Sequence, residues 1–138
     1  MTENGVFIKK EGRIYRTIVS NRNIWEDFSV KTTMQKTLRA LGITRNCDSY
    51  RLILAAVQLA VEDEDRLRLI TKEIYRPVSI LCCCPLANVE RNIRTVIFRA
   101  WKVNRPLLSQ LAGFPPEAPP AVSHFIEMLA THLIDESA

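Results

Sequence analysis

Glycine is scarce in this chain, four residues in 138, and hydrophobic residues make up 47%. That balance favours helices over turn-rich β folds and fits a globular protein with little disorder. No apolar run approaches the roughly 18 residues that span a bilayer, and the N-terminus lacks the apolar centre of a signal peptide, so a cytoplasmic protein with no membrane partner is expected. Aromatics are few, 7%. Trp25, Trp101 and the rest are spaced as core anchors, not as a ladder for stacking single-stranded bases. There are two histidines, His124 and His132, eight apart, without a neighbouring cysteine or acid that would complete a metal or catalytic set. Four cysteines, three of them adjacent at 82 to 84, match neither a secreted disulfide framework nor the two- to four-residue spacing of structural zinc sites. They read as reduced thiols, at least one buried in packing and another exposed. With no glycine-rich phosphate loop and no nucleophile elbow, neither an enzyme, nor a cofactor, nor a small-molecule substrate is expected.

What is present is charge, segregated along the chain. The net charge is +4 and the sequence pI about 9.0, a mild excess that permits polyanions without identifying one. Its distribution says more. Arg91 to Arg105 holds five basic residues and no acidic one, whereas Glu62 to Asp65 is a solid acidic block.

The strongest single element is Leu86 to Val103, LANVERNIRTVIFRAWKV. Leu86, Val89, Ile93, Val96, Ile97, Ala100 and Trp101 recur at three- and four-residue steps, which sets them on one side of a helix facing a core. Arg91, Thr95, Arg99 and Lys102 fall on the opposite side, with Glu90 and Arg94 on a shoulder. Pro85 suits the start of that helix, where its missing amide hydrogen costs nothing. A short helical segment, Pro77 to Leu81, and the triple cysteine precede it. Short helix, tight link and long cationic helix together read as a helix-turn-helix, whose second helix enters the major groove of duplex DNA.

The rest of the chain supplies a scaffold for that pair. VFIKKEGRIYRTIV at 6 to 19 suggests a β-hairpin about Glu11 and Gly12, which needs cover from a helix or from its own copy in a homodimer. Ser20 to Val30 reads as a connector anchored by Trp25 and Phe28, so residues 1–31 form an N-terminal hairpin and connector and 32–138 a helical domain. Within it, Thr32 or Thr33 would cap a helix to Leu41, with Met34, Leu38 and Leu41 inward and Gly42 ending it. Asp48 or Ser49 would start a central buried helix to about Glu62, and Asp65 or Arg66 a third with Leu67, Ile70, Ile74 and Tyr75 inward, until Pro77 forces a break or a new first turn. After a leucine-containing segment, PPEAPP at 115 to 120 cannot be regular helix, and Ser123 would cap a last helix with Phe125, Met128, Leu129 and His132 or Leu133 facing the body.

RALGI at 39 to 43, ITKEIY at 70 to 75, VERNIRTVIFRAW at 89 to 101, LAGF at 111 to 114 and SHFIEMLATHL at 123 to 133 carry a family likeness in both order and spacing. From about Leu38 to Leu133 the chain resembles the C-terminal DNA-binding effector domain of the stage zero sporulation protein A family. The resemblance implies an all-α domain of about six helices containing a helix-turn-helix, and a transcription regulator that reads a promoter box with the helix at 86 to 103. It places base contacts at Glu90, Arg91 and Arg94. The chemistry agrees: arginine donates two hydrogen bonds to guanine, and a carboxylate accepts from cytosine. Thr95, Arg99 and Lys102 are expected on the DNA backbone.

Two departures from the family pattern matter. Fewer than forty residues precede the first helix, too few for the family's receiver domain, so aspartyl phosphorylation is not expected to be the switch. In the turn, Ile80, Leu81, Cys82, Cys83, Cys84 and Pro85 stand where the family tends to carry lysines and small polar residues. An apolar surface there meets protein more readily than phosphate. The alternative reading is therefore a protein-interaction module on the same scaffold, dimeric or binding another regulator. On charge alone the basic face is an ordinary solvated helix surface, and Glu90 a partner for Arg94 at the favourable i, i+4 spacing.

Overall fold

The computed structural model describes the backbone of residues 6–10, 13–17 and 24–137, and the side chains of residues 24–135. Residues 24–137 are all-α. The expected hairpin stands apart from that class: its turn, 11–12, and the segment 18–23 lie outside the described residues, and β1 (Val6–Lys10) and β2 (Arg13–Thr17) are described as an antiparallel backbone pair, Val6 opposite Thr17.

Helix α1 runs Phe28–Ala40 and starts four residues before the expected cap. Asp27, not a threonine, caps it: its Oδ1 accepts from the amides of Ser29 at 3.0 Å and Val30 at 3.4 Å. A carboxylate at this position satisfies orphan amides and sits favourably at the positive end of the helix dipole. The earlier start also corrects the expected second anchor. Phe28 becomes the first helical residue and is 80% exposed, whereas Trp25, in a 3-10 turn at Ile24–Glu26, donates from Nε1 to the carbonyl of Leu54 at 3.2 Å. Met34, Leu38 and Leu41 are fully buried, as their spacing predicts.

Gly42 ends α1 with φ +85°, and a Cβ built there would lie 3.1 Å from Cγ2 of Val103. Left-handed backbone and close approach to the end of another helix both call for glycine. Gly42→Ala is expected to cost about 1–2 kcal/mol, read as a lower urea midpoint at unchanged slope.

Helix α2, Ser49–Glu62, is the central one: Leu52, Ile53, Ala56, Val57 and Ala60 are buried and it packs on α6 and α4. The third helical segment differs from expectation in kind. After Asp63, whose side chain accepts from the amide of Asp65 at 3.1 Å, the chain winds as a 3-10 stretch, Glu64–Leu69, then a π turn, Thr71–Tyr75, and passes directly into α3, Arg76–Leu81. Pro77 starts the new helix and leaves the segment unbroken. The wide π turn, in which the Arg76 amide reaches back to the carbonyl of Thr71, makes room before the proline ring.

Helix α4, Leu86–Val103, follows the turn, then α5, Arg105–Ala112, and α6, Val122–Ser137. Asn104 joins three elements: its Oδ1 accepts from the amide of Leu107 at 3.1 Å and its Nδ2 donates to the carbonyl of Ala40 at 3.0 Å. It thereby caps α5 and satisfies the end of α1. The proline-rich stretch 115–120 is irregular, and α6 buries Phe125, Ile126, Met128, Leu129 and Leu133 against α1, α2, α4 and α5. Among the described residues no helix is long and apolar enough to cross a membrane.

Candidate functional site

The turn between α3 and α4 is built from three cysteines in different environments. Cys82 is buried, and its thiol faces the carbonyl of Arg51 on α2 at 3.8 Å. Burial pushes that thiol's pKa up, against the opposing pull of the Arg51 guanidinium, so it stays protonated. Cys83 is exposed and takes φ +52°, the left-handed conformation that reverses the chain. Ser79 then fixes the turn twice. Its carbonyl accepts from the Cys84 amide at 3.0 Å, and its Oγ donates to the Cys84 carbonyl at 2.6 Å. Sequence reasoning missed this serine, whose only signal is a small hydroxyl residue one turn before a tight link. All four cysteines are free thiols, and among the described residues no group of histidine, cysteine or acidic side chains is arranged to hold a metal.

Helix α4 is seated from three directions. Val89, Ile93, Val96, Ile97 and Ala100 are buried. Ser49 at the start of α2 donates from Oγ to the carbonyl of Asn92 at 3.2 Å, and the Arg105 guanidinium lies 4.0 Å over the ring of Trp101, a cation–π contact that ties α5 to the end of α4. Leu86 departs from the expected inward set: at 37% exposure it overhangs the edge of the core on the first turn. With Ile80 at 73% and Leu81 at 65% it gives the turn region an apolar surface.

The outward side spans about 27 Å at 1.5 Å per residue. Arg91, Arg94, Thr95, Phe98, Arg99 and Lys102 are exposed on it. Arg91 donates from Nη2 to Oδ1 of Asn88 at 2.5 Å, and Arg94 is paired with Glu90 one turn earlier, the two side chains 54% and 45% exposed. The i, i+4 partnership expected on charge alone is therefore present. Such exposed pairs contribute only about 0.3–0.5 kcal/mol, less than the roughly 1–3 kcal/mol of a bidentate arginine–guanine contact, so neither arginine is held back from a base. Thr95 is more committed. Its Oγ1 donates to the carbonyl of Arg91 at 3.0 Å, leaving the oxygen to act as an acceptor unless that bond is given up. Arg99 and Lys102 make no ion pair among the described residues.

Phe98 is a surface feature the helical-wheel reading passed over. It is 49% exposed and shares a shallow cavity of about 300 Å³ with Thr95, Arg99, Lys102 and Val103. The available signal was an aromatic placed one step off the inward stripe.

Behind the face, Tyr75 is buried with its phenol pKa raised from 10.0 to about 12, first by burial, then by the Glu90 carboxylate, with Arg94 opposing. An acid whose folded pKa lies above its unfolded one contributes stability that is whole below pH 10 and is lost as pH rises towards 12. Chemical denaturation at pH 10 and pH 11 should show the parent losing about 1 kcal/mol more than Tyr75→Phe over that interval.

The chain also bears comparison with known protein families. The family described as "Sporulation initiation factor Spo0A C terminal" matches residues 34–133. That span begins at the fully buried Met34 of α1 and ends at the buried Leu133 of α6, so it takes in the helical core, the turn and the whole of α4.

Proposed function

Because the chain belongs to the family of the Spo0A C-terminal domain, a family of DNA-binding effector domains, we propose that it is a transcription regulator in which α4 enters the major groove and reads a promoter box. The observation that carries this reading is the free outward side of α4: exposed cations at 91, 94, 99 and 102, on a helix seated by its opposite side and preceded by a short helix and a tight turn. Arg91 and Arg94 donate to base edges and Glu90 accepts from cytosine once its pair with Arg94 opens. Arg99 and Lys102 lie further along the helix and meet phosphates, with Thr95 in a lesser role because its hydroxyl is already used. Phe98, between them, offers an apolar surface to a thymine methyl.

Binding to duplex DNA across a salt series tests the backbone part. Lys102→Ala should weaken all sequences alike and reduce the slope of log K against log[salt] by about one. An unchanged slope would remove Lys102 from the interface.

A second reading is favoured by Ile80 and Leu81, two large apolar side chains exposed beside the turn. Contiguous apolar surface of this kind meets protein, either a copy of this chain, with the N-terminal hairpin as an assembly device, or another regulator. Mass measurement in solution with and without residues 1–30 separates these roles: a monomer in both removes the hairpin as an assembly device.

A further inference from the structure

A second cationic surface is formed by α1, the 41–48 loop and the start of α2. On α1, Lys31, Gln35 and Arg39 follow one another at four-residue steps and so share a stripe. Arg45 stands in the 41–48 loop, and Tyr50 and Arg51 begin α2. Two cavities, of about 540 and 420 Å³, open between these elements and share Gln35, Arg45 and Tyr50, which makes them adjoining parts of one grooved surface. Among the described residues its lining includes Lys31, Arg39, Arg45 and Arg51 and no carboxylate. Among the described residues none of these four cations forms an ion pair.

Two physical features separate this groove from an ordinary basic surface. Like charges gathered in a concavity repel one another, and the low-dielectric walls that focus their field also favour a counter-ion carrying several negative charges. Tyr50, only 8% exposed, lines both cavities, and its hydroxyl has no hydrogen-bond partner among the described residues. A largely buried tyrosine ordinarily hydrogen-bonds its hydroxyl, so this one is left to donate to an acceptor in the groove. Guanidinium groups match phosphate oxygens bidentately, and the Gln35 and Asn46 amides add neutral donors. Each space falls within the range of a small-molecule site.

We propose that the groove between α1 and α2 is a second phosphate-binding site, accepting a ligand with at least two phosphate groups. Its phosphates come either from a free compound or from the flank of a duplex already held by α4. The wall that holds Tyr50 is also the one that seats α4, since the preceding residue, Ser49, bonds Asn92.

The test uses the full chain and sodium tripolyphosphate, titrated calorimetrically at fixed ionic strength, with Arg45→Gln, Tyr50→Phe and, as a charge control on α1 outside the groove, Lys36→Gln. Saturable one-site binding, weakened about tenfold or more by Arg45→Gln, weakened by Tyr50→Phe and unchanged by Lys36→Gln, supports the site with a free ligand. No tripolyphosphate binding, but a salt slope for duplex DNA reduced by about one in Arg45→Gln and unaltered in Lys36→Gln, supports it with the duplex as source. Neither effect, or equal effects of Arg45→Gln and Lys36→Gln, overturns it. The tripolyphosphate arm does not depend on whether α4 reads DNA.

Discussion

Phe125→Ala should lower the unfolding free energy by about 3–5 kcal/mol, a large part of the 5–15 kcal/mol typical of a domain. Phe125 is completely buried on α6, the helix that packs on α1, α2, α4 and α5. Truncating it removes the transfer free energy of a benzyl group and leaves a cavity that surrounding helices, each held from other sides, cannot collapse into. Phe28→Ala provides the matched contrast. The same chemical change at a position 80% exposed should stay within about 0.5 kcal/mol. Urea denaturation followed by circular dichroism reads both. A loss under about 1 kcal/mol at Phe125 would mean that α6 is not part of the core.

The second large effect is on recognition. Arg91→Ala should relax discrimination at one base pair of the bound sequence by about 1–3 kcal/mol while leaving phosphate contacts in place. The side chain is exposed, and its only described partner is Asn88 on the same helix, so its removal disturbs no core contact and the fold should melt unchanged. This separates it from Lys102→Ala, whose effect is uniform across sequences. If Arg91→Ala alters affinity equally for every duplex, the residue contacts phosphate and the base-reading assignment moves to Arg94.

Much of this is legible in the sequence because helical period is a strong signal. The inward stripe of α4 from Val89 to Ala100 is buried, and Met34, Leu38 and Leu41 are too. So is the placement of the cations on the solvent side, since a charged group at an inward position would need a partner that the sequence does not supply. What escaped was local competition at element ends. Asp27 outbid the threonines as a cap because a carboxylate accepting two amides starts the helix one turn sooner, and that shift turned Phe28 from an expected anchor into a surface residue. The 3-10 and π windings before α3 escaped because they share the apolar spacing of an α-helix closely enough to be read as one. The groove between α1 and α2 was invisible for a different reason. Lys31, Arg39, Arg45 and Arg51 are spread over three elements without a charged run, and only the fold, in which α1 and α2 both pack on α6, gathers them.

The central claim is that the outward side of α4 carries sequence information, and selection from a pool of random duplex DNA tests it most directly. The account predicts that the parent chain recovers one short box, and that Arg91→Ala recovers the same box with one position degenerate. Recovery of no enriched sequence by a folded parent chain, or an identical and undegraded box from Arg91→Ala and Arg94→Ala alike, would contradict it.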